Sequence, residues 1–183
     1  MAKTISKYFL ALVPVGPLQE QATALKLQLK EKFNLKYALK SPAHVTIKMP
    51  FHWNEAKEDE LAQRLGTFFE AFGPIDLEFS GFDRFGKRVL FIAPQPNSAL
   101  SALQSALSGF CRSTLKLEEE LSDKAFHPHM TIAFKDTKPQ RFDDYWSYVK
   151  AQPFQAHYQF TDVALLKKTE NRWEVVRRIG LGA

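Results

Sequence analysis

Apolar and polar residues follow two different spacings along this chain. In some segments the apolar residues recur every three or four positions, as in helices, and in others they form short runs or alternate with polar residues, as in strands. Ile75, Leu77 and Phe79 alternate in this way and would share one face of a strand. The spacing predicts strands over residues 5–14, 43–51, 75–82, 88–94, 126–134, 154–166 and 173–179, and helices over 17–33, 55–72, 98–115 and 141–150.

Prolines, glycines and a capping residue mark several boundaries of these elements. Pro17 suits the first turn of the first helix, and Asn54 suits the N-cap of the second. Gly73 and Pro74 end that second helix. Residues 167–172 would turn the chain between its last two strands, so we expect a closing hairpin.

The order strand, helix, short strand, helix, strand occurs twice, over approximately residues 5–82 and 88–180. The repeat is sharpest in the short central strand, where His-Val-Thr-Ile at 44–47 and His-Met-Thr-Ile at 129–132 agree in three of four residues and lie 85 residues apart. Self-similarity at a fixed offset is the signature of repeated structural units. We therefore expect one α+β domain, 1–183, with two β-sheet lobes and outer helices. A pseudo-twofold axis would relate the lobes, and a central cleft would separate them.

Each repeated tetrapeptide places a histidine and a threonine on the same side of a strand, because residues two apart share a face. If the lobes pack about the pseudo-twofold axis, these side chains converge in the cleft. One neutral imidazole can then accept a proton and the other, as imidazolium, can donate one, while the hydroxyls hydrogen-bond a phosphate. The predicted catalytic set for such metal-free phosphodiester chemistry is His44, Thr46, His129 and Thr131.

Two other interpretations of the histidines stay open. They could be structural residues bonded to the backbone, or they could bind a metal, since His127 and His129 lie two residues apart. Zinc sites usually need three or four His, Cys or carboxylate ligands. Cys111 falls in a predicted helix, and no acidic residue lies within either motif. We expect no metal and no cofactor.

Residues around the two motifs are candidates for substrate contacts. A phosphate could meet a lysine, a nucleobase could stack on a phenylalanine, and an RNA backbone could contact the basic turn at 84–88. A histidine beside the second motif could orient its strand or touch the substrate. Solvated lysines and core phenylalanines are the competing interpretation. The candidates are Lys48, Phe51, Arg84, His127, Phe134 and Lys135.

Composition narrows the class of protein and its ligands. Of the 183 residues, 45% are hydrophobic and 25% are charged, as in ordinary globular domains, which excludes disordered and disulfide-rich scaffolds. The formal net charge of +5 is spread over both halves and favours anionic ligands. The single cysteine, Cys111, cannot form an internal disulfide, which fits a reducing compartment.

Two apolar segments have to be distinguished from membrane or targeting signals. Residues 89–111 carry no charge, but Pro94 and Pro96 interrupt them, so a spanning helix is not expected. Residues 8–15 lead directly into Pro17 without a small-residue cleavage site, which favours a first strand over a signal peptide. We expect a cytoplasmic monomer that binds no membrane and needs no obligate protein partner.

The two His-x-Thr-x motifs resemble those of the 2H phosphoesterase superfamily, specifically its bacterial 2′-5′ RNA ligase-like, or RNA 2′,3′-cyclic phosphodiesterase, branch. The chain also resembles this branch in length, motif spacing and duplicated layout, and residues 171–175 resemble the closing hairpin of some members. The resemblance implies a bilobal α+β fold and metal-independent hydrolysis of a 2′,3′-cyclic phosphate to a 2′-phosphate. It implies that His44 is the general acid on the leaving 3′ oxygen and that His129 activates water. Thr46 and Thr131 would hold the phosphate.

The expected partner is RNA with a cyclic phosphate end, or a small nucleotide. One alternative is a nucleotide- or RNA-binding module that keeps the cleft without relevant turnover. Another is a phosphodiesterase for small cyclic nucleotides or sugar phosphates, and the reverse reaction, 2′-5′ ligation, could occur in vitro. The complete set of two histidines and two threonines favours an enzyme, because binding alone does not require two proton-transfer groups.

Overall fold

Eight strands and five helices make up the computed structural model, which describes residues 2–183. Three short 3-10 turns, Tyr37–Lys40, Glu55–Lys57 and Pro139–Arg141, connect some of them. The elements are β1 (Ile5–Leu12), α1 (Pro17–Phe33), β2 (Val45–Asn54), α2 (Glu58–Phe69), β3 (Ile75–Phe85), β4 (Val89–Pro94), α3 (Ser98–Ser113), α4 (Leu121–Lys124), β5 (Met130–Ala133), α5 (Phe142–Lys150), β6 (Gln155–Phe160), β7 (Asp162–Thr169) and β8 (Arg172–Gly180).

The strands form two four-stranded antiparallel sheets, in the orders β2-β1-β7-β8 and β5-β4-β3-β6. The predicted α+β class with two lobes is confirmed. Each sheet takes strands from both halves of the chain, because β3 crosses to pair with β4 and β7 crosses back to pair with β1. The two motif strands, β2 and β5, occupy corresponding edge positions in the two sheets and contact each other.

Three predicted elements need correction. The single strand predicted over 154–166 is two strands, β6 and β7, which belong to different sheets and are separated only by Thr161. No proline or glycine lies where the chain passes from one sheet to the other, so the residue pattern continues and predicts a single strand. The strand predicted over 126–134 is shorter, and α4, a helix of four residues, precedes it. The helix predicted over 55–72 starts as a 3-10 turn, in which the Asn54 side chain accepts the N–H of Ala56, and its α-helical part ends at Phe69.

Both faces of β1 are buried, which explains its continuous apolar run. Tyr8, Leu10 and Leu12 point into the large core that the helices cover. Phe9, Ala11 and Val13, on the other face, form a second, smaller cluster with residues of β7, and Trp173 and Val175 of β8 pack against it. The first motif histidine, His44, packs on this second face of β1, against Phe9.

The two halves of the chain interlock around the motif strands. Helix α1 of the first half contacts β5, and helix α3 of the second half contacts β2. Likewise the 3-10 turn Tyr37–Lys40 contacts β5, while α4 contacts β2. The Asp136 carboxylate, just after β5, accepts the backbone N–H groups of Lys36 and Tyr37 at 2.8 Å each. Each motif strand is thus held by elements of the opposite half.

None of the helices within residues 2–183 combines the length and the apolar character that crossing a membrane requires.

Candidate active site

The two motif histidines are held in the same way. Each lies directly before its strand, and each bonds the backbone carbonyl two residues earlier, His44 Nδ1 to Pro42 O at 2.7 Å and His129 Nδ1 to His127 O at 2.8 Å. Because a carbonyl oxygen only accepts hydrogen bonds, Nδ1 carries the hydrogen in both rings. In the neutral ring Nε2 is then unprotonated, so Nε2 is the atom that exchanges a proton with a ligand.

A β-bulge follows the threonine in both motifs. In the first, Ala11 pairs with Thr46 and Leu10 pairs with Lys48, which leaves Ile47 as an extra residue. In the second, Phe91 pairs with Thr131 and Leu90 pairs with Ala133, which leaves Ile132 as the extra residue. A bulge of this kind bends a strand and changes the direction of the side chains beyond it. The chain therefore repeats a distortion as well as a pair of residues, 85 positions apart.

Aromatic rings support both imidazoles. The His44 ring lies 5.0 Å from the Phe9 ring between centroids. The His129 ring lies 4.9 Å from Phe85 and 5.4 Å from Phe91, in edge-to-face contact with both. Together with the Nδ1 bonds, these contacts leave each half-buried imidazole little freedom to rotate.

Burial keeps both imidazoles neutral. It lowers the pKa of His44 to about 4, the Pro42 carbonyl opposes this shift, and the charges of Lys26 and His129 add to it. Burial also lowers the pKa of His129, the hydrogen bond to the His127 carbonyl opposes this shift, and the charge of His127 adds a smaller lowering effect. The charge of one motif histidine thus acts on the other. An anionic phosphate between them would raise both pKa values, because an opposite charge favours the protonated ring.

A cavity of about 190 Å³ lies beside His129. It joins the two motifs, since Thr46 of the first and His129 of the second both line it, whereas His44 and Thr131 are not among its lining residues. Its walls are mainly apolar side chains with a few polar groups. The lining residues are Thr46, Ile47, Met49, Phe85, Ser122, Asp123, Ala125, Phe126, His127 and His129.

Neither motif threonine has a side-chain hydrogen-bond partner within the described part of the chain. Thr46 and Thr131 are both half-buried, and their hydroxyls are accessible rather than sealed in the core. A hydroxyl without a protein partner can donate to a phosphate oxygen.

Lys48 does not lie where strand parity predicts it. Its ammonium is buried and forms an ion pair with Asp123 at 2.5 Å and a hydrogen bond to the carbonyl of Glu118 at 2.9 Å. The bulge at Ile47 turns it away from the Thr46 side and into the protein. Asp123 also accepts the backbone N–H groups of Met49 and Glu120. The structure therefore gives Lys48 the role of fastening α4, whose residues form one wall of the cavity.

Two further substrate candidates lie away from the cavity. Phe51 is buried in the large core, where its ring stacks on Tyr8 at 6.2 Å. Arg84 lies over Trp146 of α5 at 5.1 Å and 3.9 Å from the Asp143 carboxylate. Its strand neighbour is Leu90, a core residue, so Arg84 shares the face of the sheet that α5 covers.

The remaining candidates are exposed or half-buried. His127 lines the cavity, and its backbone carbonyl holds His129. Phe134 contacts the Tyr37 ring edge-on at 5.1 Å, and Lys135 donates to the Tyr37 hydroxyl at 3.1 Å. These two residues belong to the junction between the lobes, on the side of the 3-10 turn that precedes His44.

Sequence reasoning missed the groups that hold the segment before His44. The Gln19 side chain bonds both the N–H and the C=O of Ala43, at 2.8 and 2.9 Å. The buried Lys26 ammonium donates to the carbonyls of Ala38 and Ser41, at 3.0 Å each. A lysine on the apolar side of a predicted helix, four residues after the buried Ala22, was the available signal for Lys26.

Within residues 2–183, no group of three or more His, Cys, Asp or Glu side chains is arranged to hold a metal ion.

A bilobal α+β fold in which each half presents a histidine and a threonine from a bulged edge strand defines a two-histidine phosphoesterase. The family model described as "2'-5' RNA ligase superfamily" matches residues 14–172. The chain belongs to this superfamily.

Individual relatives and solved structures resemble the whole chain. "Putative phosphoesterase BH1439" of Halalkalibacterium halodurans is 28% identical over 179 residues, which are 96% of this chain and 97% of the relative. "Putative phosphoesterase" of Geobacillus thermodenitrificans is 28% identical over 173 residues, which are 92% of each chain. The crystal structure of E. coli LigT complexed with 3'-AMP has a TM-score of 0.66 at 18% identity and covers 98% of this chain and 100% of that one. TT0787 of Thermus thermophilus has a TM-score of 0.65 at 16% identity, covering 96% and 97%. These structures support the fold.

Proposed function

We propose that the protein hydrolyses 2′,3′-cyclic phosphate ends of RNA or nucleotides to 2′-phosphates, and that it needs no metal. The observation that carries the proposal is that the same hydrogen bond orients both imidazoles. In both His44 and His129, Nδ1 is hydrogen-bonded to the carbonyl two residues earlier, and Nε2 remains available to a ligand. A binding site has no need of two matched proton-transfer groups, whereas hydrolysis of a phosphodiester needs one base and one acid.

The proposed reaction uses one histidine in each role. His129 Nε2 accepts a proton from a water molecule, whose oxygen forms a bond to phosphorus. The bond between phosphorus and the 3′ oxygen breaks, and His44 Nε2–H donates its proton to that oxygen. The products are a 2′-phosphate and a free 3′ hydroxyl, and proton exchange with solvent restores both rings. The hydroxyls of Thr46 and Thr131 donate to the non-bridging oxygens, where negative charge increases in the transition state.

The low pKa values fit this scheme once the substrate is included. In the unliganded cleft burial keeps both rings neutral. The negative charge of the bound cyclic phosphate offsets the cost of burying an imidazolium, so the substrate itself favours the protonated acid. The ring that stays neutral then acts as the base.

The cavity beside His129 suits a nucleoside. Ile47, Met49, Phe85 and Phe126 supply apolar surface, and His127 supplies a polar edge. The solved structures of E. coli LigT complexed with 3'-AMP, NADP+ and ATP show that nucleotides bind to a protein of this fold. Replacing the attacking water with the 5′ hydroxyl of a second strand would form a 2′–5′ bond and break the same bond to the 3′ oxygen, so ligation in vitro would be the same ring opening with a different nucleophile.

The deciding experiment is hydrolysis of a short RNA with a 2′,3′-cyclic phosphate end in the presence of EDTA. Wild type should produce a 2′-phosphate, and His44→Ala and His129→Ala should each lower kcat by about 100-fold or more. His52→Ala, an exposed histidine on β2, is the matched control and should keep full activity. If wild type gave no product but still bound nucleotides, the protein would be a binding module and not an enzyme. Turnover only of small cyclic nucleotides or sugar phosphates would move the proposal to that substrate class.

A further inference from the structure

Positive charge is concentrated around Tyr37, at the junction of the two lobes. Lys135 donates to the Tyr37 hydroxyl at 3.1 Å, and its ammonium lies 4.8 Å from the centre of the ring. Lys40 lies 4.6 Å from the same ring. Lys168 of β7 is close enough for its charge to act on the phenol, and these lysines together lower its pKa, the Lys135 bond most of all. We call Tyr37, Lys40, Lys135 and Lys168 the Tyr37 cluster.

The ammonium groups of this cluster form no direct ion pair in the described part of the chain, although the Asp136 carboxylate lies nearby on the backbone N–H of Tyr37. Within residues 2–183, no carboxylate lies within 4.0 Å of the ammonium groups of Lys40, Lys135 or Lys168. Lys167, the neighbour of Lys168 on the opposite face of β7, shows the contrast, since it pairs with Glu55 at 2.9 Å and with Glu58 at 3.8 Å. Three unpaired cations from three separate segments meet at one place and favour an anion.

The Tyr37 cluster continues directly from the first motif histidine. The His44 ring packs on Phe9, and the Phe9 ring packs on Trp173 at 4.8 Å. Trp173 is the cross-strand partner of Lys168, so both side chains share the face of the sheet on which His44 packs. Trp173 is half-buried and therefore still presents part of its ring to a ligand.

From His44 outward, two aromatic residues, the buried Phe9 and then Trp173, are followed by Lys168, Tyr37 and Lys135. Proteins that bind single-stranded nucleic acids combine a positive groove for the backbone with aromatic rings for the bases. A mononucleotide would occupy the histidines and the cavity beside His129 without reaching this surface.

We infer that the Tyr37 cluster binds the phosphodiester backbone of a single-stranded nucleic acid whose 3′ end lies between the two histidines. The inference rests on the proposed function, and it narrows the substrate to strands of several nucleotides. The terminal nucleoside lies on the His129 side of the cleft, and the preceding nucleotides leave on the His44 side.

The test compares two substrates and two triple variants. The substrates are a nucleoside 2′,3′-cyclic phosphate and an RNA of about eight nucleotides with the same cyclic end. The first variant is Lys40→Gln, Lys135→Gln and Lys168→Gln, and the control variant is Lys3→Gln, Lys116→Gln and Lys150→Gln, which removes the same charge from exposed lysines elsewhere.

For the eight-nucleotide RNA, the first variant should lower kcat/KM about tenfold or more, while the nucleoside cyclic phosphate should change less than about twofold. The control variant should leave both within about twofold. The slope of log KM against the logarithm of the salt concentration should decrease by about 2, because each phosphate contact of a single strand contributes about 0.7 to it. Equal effects on both substrates, or an unchanged salt slope, would overturn the inference.

A binding measurement separates this inference from the proposed chemistry. The probe is a fluorescent eight-nucleotide RNA ending in a 2′-phosphate, with fluorescence anisotropy as the readout. Even if no cyclic phosphate were hydrolysed, weaker binding by the first variant would support the cluster, and unchanged binding would refute it. Tyr37→Leu should weaken binding about fivefold or more through loss of stacking. Competition by polyglutamate as strong as that of RNA would show an acidic-peptide surface and overturn the assignment.

Discussion

Gln19 and Gln104 lie 85 residues apart, the same offset that separates His44 from His129, and each donates its side-chain amide to the backbone of the segment that precedes the histidine of its own half. Gln19 Nε2 bonds the carbonyl of Ala43 at 2.9 Å, and the buried Gln104 Nε2 bonds the carbonyl of Asp123 at 2.8 Å. The two halves therefore share a glutamine that bonds the backbone ahead of each histidine, directly before His44 and six residues before His129.

Gln19→Ala should lower both stability and turnover. The substitution leaves the N–H of Ala43 and the carbonyls of Pro14 and Ala43 without their partner, at a cost of roughly 1–3 kcal/mol in the free energy of unfolding. The segment that orients His44 would also loosen, so kcat should fall more than KM rises. Urea unfolding and steady-state kinetics measure the two effects. Gln21→Ala, at an exposed position of the same helix, should change neither, and equal behaviour of the two variants would contradict the positioning role.

The sequence could have indicated this pair, although the prediction did not include it. A histidine and a threonine that recur on strands at an offset of 85 residues suggest chemistry, because these residue types exchange protons and bind phosphate. A glutamine on a predicted helix suggests only a solvated face. Its role depends on a carbonyl that approaches it in the folded chain, and residue patterns along a single helix do not show such an approach. The sequence also does not show that β3 and β7 pair with strands of the other half of the chain, because the residue pattern of a strand does not identify its partner strand.

Stability should fall as the pH decreases from about 6.5 toward 4. The pKa of His44 is about 4 in the folded protein and near 6.5 when unfolded, so between these values the unfolded chain binds more protons. The contribution of neutral His44 is complete above pH 6.5 and is lost as the pH falls through this window, by up to about 3 kcal/mol. Urea unfolding of wild type and His44→Asn, from pH 7.5 to 4, measures it. The variant should show a flatter profile, and parallel profiles would argue that His44 titrates normally.

The pH dependence of kcat should assign the roles of the two histidines. A general base must be neutral, so the rate rises with pH through its pKa, whereas a general acid must be protonated, so the rate falls above its pKa. The residual activity of His129→Ala should lose the decline on the acidic side, and that of His44→Ala should lose the decline on the basic side. The opposite pattern would exchange the roles and leave the two-histidine mechanism intact.

Strand parity fails at Lys48, the second residue after the first motif threonine. Residues two apart share a face only while the strand is regular, and a bulge at Ile47 breaks the alternation before Lys48. Nothing in the letters Thr-Ile-Lys marks a bulge, since any of these residues fits a regular strand. The partner of Lys48, Asp123, lies 75 positions away in a helix of only four residues, which no periodicity could reveal.

Lys48→Met should therefore lower the stability of the protein more than it weakens phosphate binding. Removing one partner of a buried ion pair leaves an uncompensated charge on Asp123, at a cost of about 3–5 kcal/mol in the free energy of unfolding. Adding Asp123→Asn should recover part of this loss, because the amide oxygen can still accept a backbone N–H group of Met49 or Glu120. Urea unfolding of the single and double variants tests this coupling, with the exposed Lys124→Met as the control. If Lys48 instead contacted the substrate, Lys48→Met would raise KM at unchanged stability, and the double variant would gain nothing.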